Sequence, residues 1–340
     1  MTTSLEDLDL IGSFRADVDA GRHRVDWALH PLARELPGDV FLLGSHSAQP
    51  AFVHGDGSTR GESPRAQRRT RARQDGPLQR WAVLDKYRIE ELIGSGGFAF
   101  VYRATHLLLR IPVAIKLLRP EQLEHADAAQ RLVEEARCAA RINHPNVVRI
   151  HDVTQTPQIT YIVMEHIEGR SLARAIRAAG PLPPHAVLRL GLDVVAGLRA
   201  GLHEGLIHRD IKPANILLSR GGGARIVDFG LARATTAPGR ERSLVGTRGY
   251  VAPEVVDGFG GDFRADIFSL GVTLYEAAAG ARPLLPYGAA QAWPPPDLPA
   301  DLPRGLSGAL RFMLMPRRED RPASYELLEH ALRGAFEDLG

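Results

Sequence analysis

The chain has 340 residues, 44% of them hydrophobic, and a formal net charge of +2, so it can bury a sizeable core but lacks the general basic surface that nucleic acid or anionic lipid requires. Its single cysteine, Cys138, excludes an internal disulfide, and thirteen histidines without Cys-x-x-Cys spacing do not indicate a zinc site. Because the sequence has no run of eighteen apolar residues and starts with acidic rather than basic residues, we expect a cytoplasmic protein with no membrane partner.

The first 80 residues show no sustained hydrophobic period. They contain at most one short amphipathic helix over 27–36 and one strand over 40–43. From residue 55 to residue 80 the chain is rich in Gly, Ser, Pro, Gln and Arg, with the densest charge between Arg68 and Arg73. We interpret residues 1–80 as a largely disordered arm with an Arg-rich linker. The alternative is a tail that binds nucleic acid or a protein partner through those arginines.

A glycine-rich hairpin is the first regular element predicted, beginning near Tyr87. Residues 87–93 and 98–104 alternate as strands, and Gly94, Ser95, Gly96 and Gly97 fall at the turn between them. A dinucleotide-binding turn opens a helix, whereas this turn opens a second strand. Its glycines allow backbone N–H groups to approach phosphate. Ala99 stands at the third glycine position of a Gly-x-Gly-x-x-Gly pattern that starts at Gly94, so we expect altered stiffness of the loop rather than loss of binding.

The next strand, residues 113–118, is apolar except for Lys116. A lysine flanked by apolar residues requires a partner. A helix is predicted over 128–142, and its neighbouring acids Glu134 and Glu135 must point in different directions. Lysine itself is rare here, with only three in the chain against thirty-nine arginines.

Two more strands, 147–153 and 160–165, complete a predicted five-stranded sheet, and a long helix follows over 182–204. The segment 207–218, with the sequence IHRDIKPANILL, then places Asp210, Lys212 and Asn215 on one tight loop between apolar residues. Such a loop can hold a base, a phosphate clamp and a metal ligand. Asp228 follows an apolar pair, so a second metal ligand can lie opposite Asn215.

These segments resemble those of protein kinases. The run HRDIKPAN is close to the family signature, and DFG at 228–230, GTRGYVAPE at 246–254 and DIFSLG at 266–271 are similar to its later landmarks. The resemblance covers Tyr87 to about Arg333 and points to the bacterial branch of eukaryotic-type (Hanks-type) serine/threonine kinases. It implies an α+β bilobal fold. A small lobe (87–165) carries the five-stranded antiparallel sheet and one main helix, and a larger helical lobe spans 168–333.

The resemblance also implies a set of site residues and cofactors. Asp210 would orient the substrate hydroxyl, and Lys212 would stabilise the transferring phosphoryl group. Lys116 would orient ATP and would be held by a glutamate of the helix, Glu135, with its neighbour Glu134 as the alternative. Asn215 and Asp228 would hold Mg²⁺, with Mn²⁺ as the alternative. The implied nucleotide pocket is formed by Ile93, Gly94, Ser95, Gly96, Gly97, Val101, Ala114, Lys116, Met164, Glu165, Ile167 and Leu217.

Protein substrates with Ser or Thr hydroxyls are implied by Lys212, two residues after Asp210, and by Arg209 and the APE run at 252–254. The alternative is a pseudokinase scaffold that binds ATP without efficient transfer. The resemblance further implies that Thr247 bonds near Asp210 and Lys212, and that Arg321 pairs with Glu254. Within the activation segment, 231–251, we expect mobility and autophosphorylation at Ser243 in preference to Thr235 and Thr236.

Overall fold

A computed structural model of the chain describes residues 76–124, 126–229, 247, 249–285 and 296–339. The expected elements at 27–36 and 40–43, the arginines at 68–73, and the candidate phosphorylation sites Thr235, Thr236 and Ser243 lie outside the described residues. Two lobes are formed, a small one built on a β-sheet and a large one built on helices.

The small lobe is a six-stranded antiparallel sheet with the order β1-β2-β3-β4-β6-β5. Its strands are β1 Val83–Leu84, β2 Tyr87–Ser95, β3 Ala99–His106, β4 Pro112–Leu118, β5 Ile150–Gln155 and β6 Thr160–Glu165. Alternation of side chains gives the sheet two apolar faces. The outer face includes Phe100, Tyr102 and Ile115. The inner face, with Val101 and Ala114, packs on the main helix of this lobe, Ala126–Ala139, and lines the cleft between the lobes.

The expected five strands were one too few. The additional strand, β1, has only two residues and pairs with the start of β2, so it is too short to give a periodic signal. Order also begins before Tyr87, because Leu78 packs against the outer face and its N–H donates to the Tyr102 hydroxyl (3.2 Å). The strand expected over 147–153 begins instead at Ile150, while Val147 forms an isolated bridge with Ile226 of the large lobe.

The helices of the chain lie mainly in the large lobe. In chain order they are α1 Pro120–Leu123, α2 Ala126–Ala139, α3 Leu172–Ala179, α4 Pro184–His203, α5 Pro253–Val256, α6 Phe263–Ala279, α7 Arg304–Met313 and α8 Tyr325–Glu337. The predicted helices over 128–142 and 182–204 are present with ends shifted by two to three residues for α2 and one to two for α4. Proline at the first turn of α4 sets its start, because proline needs no hydrogen-bond acceptor there. In the described part of the chain no helix is both long and apolar enough to span a bilayer.

The core of the large lobe surrounds α4 and α6, which bury leucine, valine and isoleucine against α7 and α8. A second sheet of three strands, β7 Gly169–Ser171, β8 Ile216–Ser219 and β9 Ala224–Ile226, lies over α4. The loop at 207–215, which the resemblance identifies as the catalytic loop, therefore enters β8 directly, and β9 leads to Asp228. This small sheet fixes where both polar clusters predicted from the sequence emerge.

Candidate active site

Lys116 lies on the inner face of β4, where it joins three elements that are distant in sequence. Its ammonium donates to Glu135 Oε1 of α2 (2.7 Å) and to Asp228 Oδ1 after β9 (2.9 Å). Glu134, the competing acid, instead accepts from Gln130 on its own helix (3.2 Å). The expected contact between Lys116 and Glu135 is thus confirmed.

Electrostatics favour the charged forms of Lys116 and Asp228 despite their burial. Burial alone lowers the pKa of Lys116, but the carboxylates of Asp228 and Glu135 outweigh it and raise that pKa above its ordinary value. Burial would also raise the pKa of Asp228, yet the Lys116 ammonium keeps it below its usual range. For Glu135 burial prevails, and its pKa is raised.

The loop after α4 brings Asp210, Lys212 and Asn215 together as expected. Lys212 Nζ lies 2.7 Å from Asp210 Oδ2. The Asn215 amide donates to Asp210 at both its backbone oxygen (2.9 Å) and its Oδ2 (3.1 Å). All three residues are buried, so this geometry is held away from solvent. The side-chain oxygen of Asn215 takes no part in these amide bonds, so it suits a metal ligand.

Asp266, at the start of α6, anchors the same loop from below. Its two carboxylate oxygens accept the N–H groups of His208 and Arg209, each at 2.7 Å. Arg209 has a φ of 65°, a left-handed conformation that costs energy for a residue with a Cβ and is typical of functional loops. The buried carboxylate therefore holds a strained backbone that the loop would not adopt alone.

The pairing of β8 with β9 places Asn215 beside Asp228. Ile216 lies opposite Ile226, and Val227 N–H donates to the Asn215 carbonyl (3.0 Å). Asp228 also adopts a positive φ, 60°. One carboxylate and one amide oxygen form a hard-oxygen donor set that fits Mg²⁺ with its remaining positions filled by phosphate or water. The residues present therefore fit a divalent metal bound together with a nucleotide.

An apolar cleft between the lobes ends at Asp228. The cleft is open to solvent and has a volume of about 420 Å³. Seven of the residues expected to contact nucleotide line it: Ile93, Val101, Ala114, Met164, Glu165, Ile167 and Leu217. Gly94 and Ser95 end β2, and Gly96 and Gly97 form the following turn. The Glu165 N–H already donates to Arg149 O (2.9 Å), so it is not available to a nucleotide. A flat aromatic base with a polar edge fits this cleft.

Thr247 connects the activation segment to the catalytic loop, as the resemblance implied. Its hydroxyl donates to Asp210 Oδ1 (2.9 Å) and accepts from Lys212 Nζ (2.6 Å), and its N–H also donates to Asp210 (3.1 Å). The expected pair of Arg321 and Glu254 is present as two parallel bonds of 2.8 and 2.7 Å. Both contacts are confirmed.

Besides Asp266, two further residues have positioning roles that were not identified from the sequence. The His208 ring contacts Val227 O through Nε2 (3.0 Å) and meets the Phe229 ring edge-on, with centroids 4.8 Å apart. Gly201 of α4 leaves room for that ring, since a Cβ there would lie 2.4 Å from Phe229. A glycine within a helix is unfavourable by about 1 kcal/mol and is therefore a usable signal, but its partner cannot be read from the sequence.

Comparisons with known proteins agree with this geometry. The protein kinase domain family matches residues 87–292. PknB of Mycobacterium leprae, a serine/threonine-protein kinase, is 35% identical over 208 residues, which cover 59% of this chain and 33% of PknB. PknL of Mycobacterium tuberculosis, also a serine/threonine-protein kinase, is 37% identical over 209 residues, 61% of this chain and 52% of PknL.

A probable serine/threonine-protein kinase of Clostridium perfringens is 36% identical over 201 residues, 58% of this chain and 29% of that protein. The chain thus spans less than two thirds of the length of these relatives. The family match covers more than half of the chain and includes every polar residue of the cleft described above. The chain belongs to the protein kinase domain family, whose members use ATP and a divalent metal.

Proposed function

We propose that this chain is a serine/threonine protein kinase that transfers the γ-phosphoryl group of ATP to Ser and Thr hydroxyls of proteins. The observation that carries the proposal is that Asp228 lines the apolar cleft while it holds Lys116, which in turn holds Glu135. This arrangement places a cation and a metal ligand together at one end of a base-sized cleft. The names of the relatives support Ser and Thr as the accepting residues.

In this proposal each polar residue has one task. The adenine is enclosed by five apolar residues: Ile93, Val101, Ala114, Met164 and Leu217. Its polar edge bonds to the Glu165 carbonyl and the Ile167 N–H. The phosphates are oriented by Lys116 and covered by the glycine-rich turn, which consists of Gly94, Ser95, Gly96 and Gly97. Asn215 and Asp228 would hold Mg²⁺, which supplies neutralisation of phosphate charge when bound.

Transfer then requires positioning rather than a covalent intermediate on the protein. Asp210 orients the substrate hydroxyl and accepts its proton as the new oxygen–phosphorus bond forms and the bond to ADP breaks. Lys212 stabilises the negative charge on the transferring group. Thr247 fixes the positions of the Asp210 and Lys212 side chains relative to each other, because its hydroxyl bonds to both.

Incubation of the full chain with radiolabelled ATP and Mg²⁺ tests the proposal, with Asp210→Asn as the matched control. We expect labelling of the chain or of an added protein on Ser and Thr, identified by phosphoamino acid analysis, and none in the control. The same assay with Mn²⁺ compares the two metals. Nucleotide binding without transfer would instead establish the pseudokinase alternative, and a cytoplasmic location is tested separately by cell fractionation.

A further inference from the structure

Arg119, directly after β4, lies on the outer face of the small-lobe sheet, opposite the cleft. Side chains alternate along β4, so that Ile115 and Leu117 face the outer cluster whereas Ala114 and Leu118 face the inner one. In keeping with this alternation, the Arg119 guanidinium stacks on the Phe100 ring of the outer cluster, 3.9 Å from its centroid. Arg119 therefore does not approach the cleft in which we place the nucleotide.

From this outer face Arg119 reaches the glycine-rich turn at three points. Its Nε donates to Gly96 O (2.5 Å), its Nη2 donates to Ser95 Oγ (2.9 Å), and its backbone N–H donates to Phe98 O (3.0 Å). The guanidinium is planar, so stacking on Phe100 fixes the direction of both side-chain bonds. One arginine thus binds both the start and the end of the turn.

The turn has little packing of its own. A Cβ added at Gly97 would have nothing within 4 Å, and across the turn itself the Gly96 N–H donates to Ala99 O (3.0 Å). Glycines carry a high conformational entropy, which must be lost when such a turn closes over a ligand. A tether that orders the turn in advance lowers this entropic cost and so favours binding.

We propose that Arg119 is a positioning residue that holds the glycine-rich turn in its nucleotide-binding shape from behind the sheet. This inference rests on the proposed function, since it assumes that the turn covers nucleotide phosphates. Arg119 thus raises the affinity for nucleotide although it does not contact the nucleotide. Lysine cannot replace it fully, because an ammonium cannot stack flat on Phe100 and direct two bonds at fixed angles.

The test compares Arg119→Ala and Arg119→Lys with Arg131→Ala, a matched control at an exposed arginine on α2 of the same lobe. Two readouts are used on the full chain: hydrogen exchange of amides 95–99 without nucleotide, and the Kd of a fluorescent ADP analogue with its Mg²⁺. We expect Arg119→Ala to speed exchange of these amides and to weaken binding about tenfold, as loss of charge-assisted hydrogen bonds implies. Arg119→Lys should be intermediate, and Arg131→Ala should match the wild type.

In kinetics the effect should appear in the KM for ATP, with kcat changed by less than about twofold, since loss of binding common to substrate and transition state leaves kcat unchanged. A double-mutant cycle gives a check that does not depend on one variant. Ser95→Ala should weaken binding in the wild type and add little when Arg119 is already alanine.

Exchange and affinity equal to those of Arg131→Ala, or full additivity in the cycle, would overturn the inference. Should Arg119→Ala fail to fold, Arg119→Lys and Ser95→Ala carry the same comparison. Failure of the proposed function is separable, because a wild-type chain that binds nucleotide but transfers no phosphate still permits both readouts.

Discussion

The two lobes hold their halves of the active site by different means. In the small lobe, Lys116 is fixed by side-chain contacts to Glu135 of α2 and Asp228 of the large lobe, three residues on separate elements. In the large lobe, the loop that carries Asp210 is fixed through its backbone, by the buried carboxylate of Asp266. The side-chain contacts of Lys116 can break when α2 or either lobe shifts. The loop that carries Asp210 cannot move without losing its buried hydrogen bonds to Asp266.

Because of this difference, substitutions in the two lobes should affect activity and the free energy of unfolding differently. Changes to the small-lobe contacts should alter activity in a chain that stays folded, because charged groups at the cleft can regain water. Changes beneath the catalytic loop should lower both activity and stability, since buried N–H groups left without acceptors cost about 1–3 kcal/mol each. Six substitutions, grouped in five comparisons, test this contrast in order of decreasing expected effect.

Lys116→Met and Asp228→Asn should each reduce phosphoryl transfer by at least about 100-fold, because each removes a charge that meets phosphate or metal. Both variants should still unfold cooperatively. Transfer of radiolabelled phosphate and a thermal melt measure the two quantities. Activity close to that of the wild type in either variant would contradict the assigned roles.

Asp266→Ala should reduce both quantities, with a loss of about 3 kcal/mol or more in the free energy of unfolding, because two buried N–H groups lose their acceptor. The control is Asp262→Ala, which removes a single bond at the N-terminus of the same helix, to Arg264 N–H, and should cost about 1 kcal/mol. Urea denaturation of both variants gives the comparison. Equal losses would mean that Asp266 has no special part in holding the loop.

Thr247→Ala should lower kcat about tenfold, because Asp210 and Lys212 both lose a partner, while the KM for ATP stays near its wild-type value. Thr247→Ser keeps the hydroxyl and should retain most of the activity. Steady-state kinetics of the pair decide the point. A serine variant as impaired as the alanine variant would assign the effect to packing instead.

Glu135→Gln should lower activity several-fold to about tenfold, since the neutral amide weakens the contact that orients Lys116. Glu134→Gln serves as the control, because Glu134 accepts its hydrogen bond from Gln130 of its own helix. The ratio of kcat/KM between the two variants is the measurement. The reverse order would place the functional acid on the other residue.

Gly201→Ala should displace the Phe229 ring and lower activity a few-fold, because overpacking of this kind costs about 1–3 kcal/mol. Phe229→Leu in the same chain should restore part of the activity by making room for the added methyl group. Gly308→Ala in α7, where a Cβ would have nothing within 4 Å, should leave activity unchanged. A double variant no better than Gly201→Ala would show that the two side chains do not interact.

Local polar spacing in the sequence was enough to predict one part of the site, the loop after α4. Asp210, Lys212 and Asn215 are brought together by one short loop, so their proximity follows from chain connectivity alone. Contacts that join distant segments were predicted only through the resemblance, as for Lys116 with Glu135 and Arg321 with Glu254. Asp266 and Gly201 were missed because their role depends on how α6 and α4 pack beneath the loop, which no local pattern encodes.

The start of the small lobe shows the same limit of prediction from local sequence patterns. The two-residue strand β1 is held by its pairing with β2 rather than by its own propensity, and Leu78 is ordered because it covers the outer face of the sheet. Such elements depend on their neighbours and have no periodic signal. The activation-segment residues, including Ser243, remain predictions from the sequence.

The scarcity of lysine has a practical consequence for chemical modification. Of the three lysines, Lys116 and Lys212 have side chains only 10% and 5% exposed, whereas Lys86 is 42% exposed and paired with Asp152 at the surface. An amine-reactive dye or surface linker directed at lysine should therefore attach at Lys86, on the turn between β1 and β2 and away from the cleft. The fold thus provides a single lysine for attachment, and a fluorophore or immobilised support placed there would leave both active-site amines unmodified.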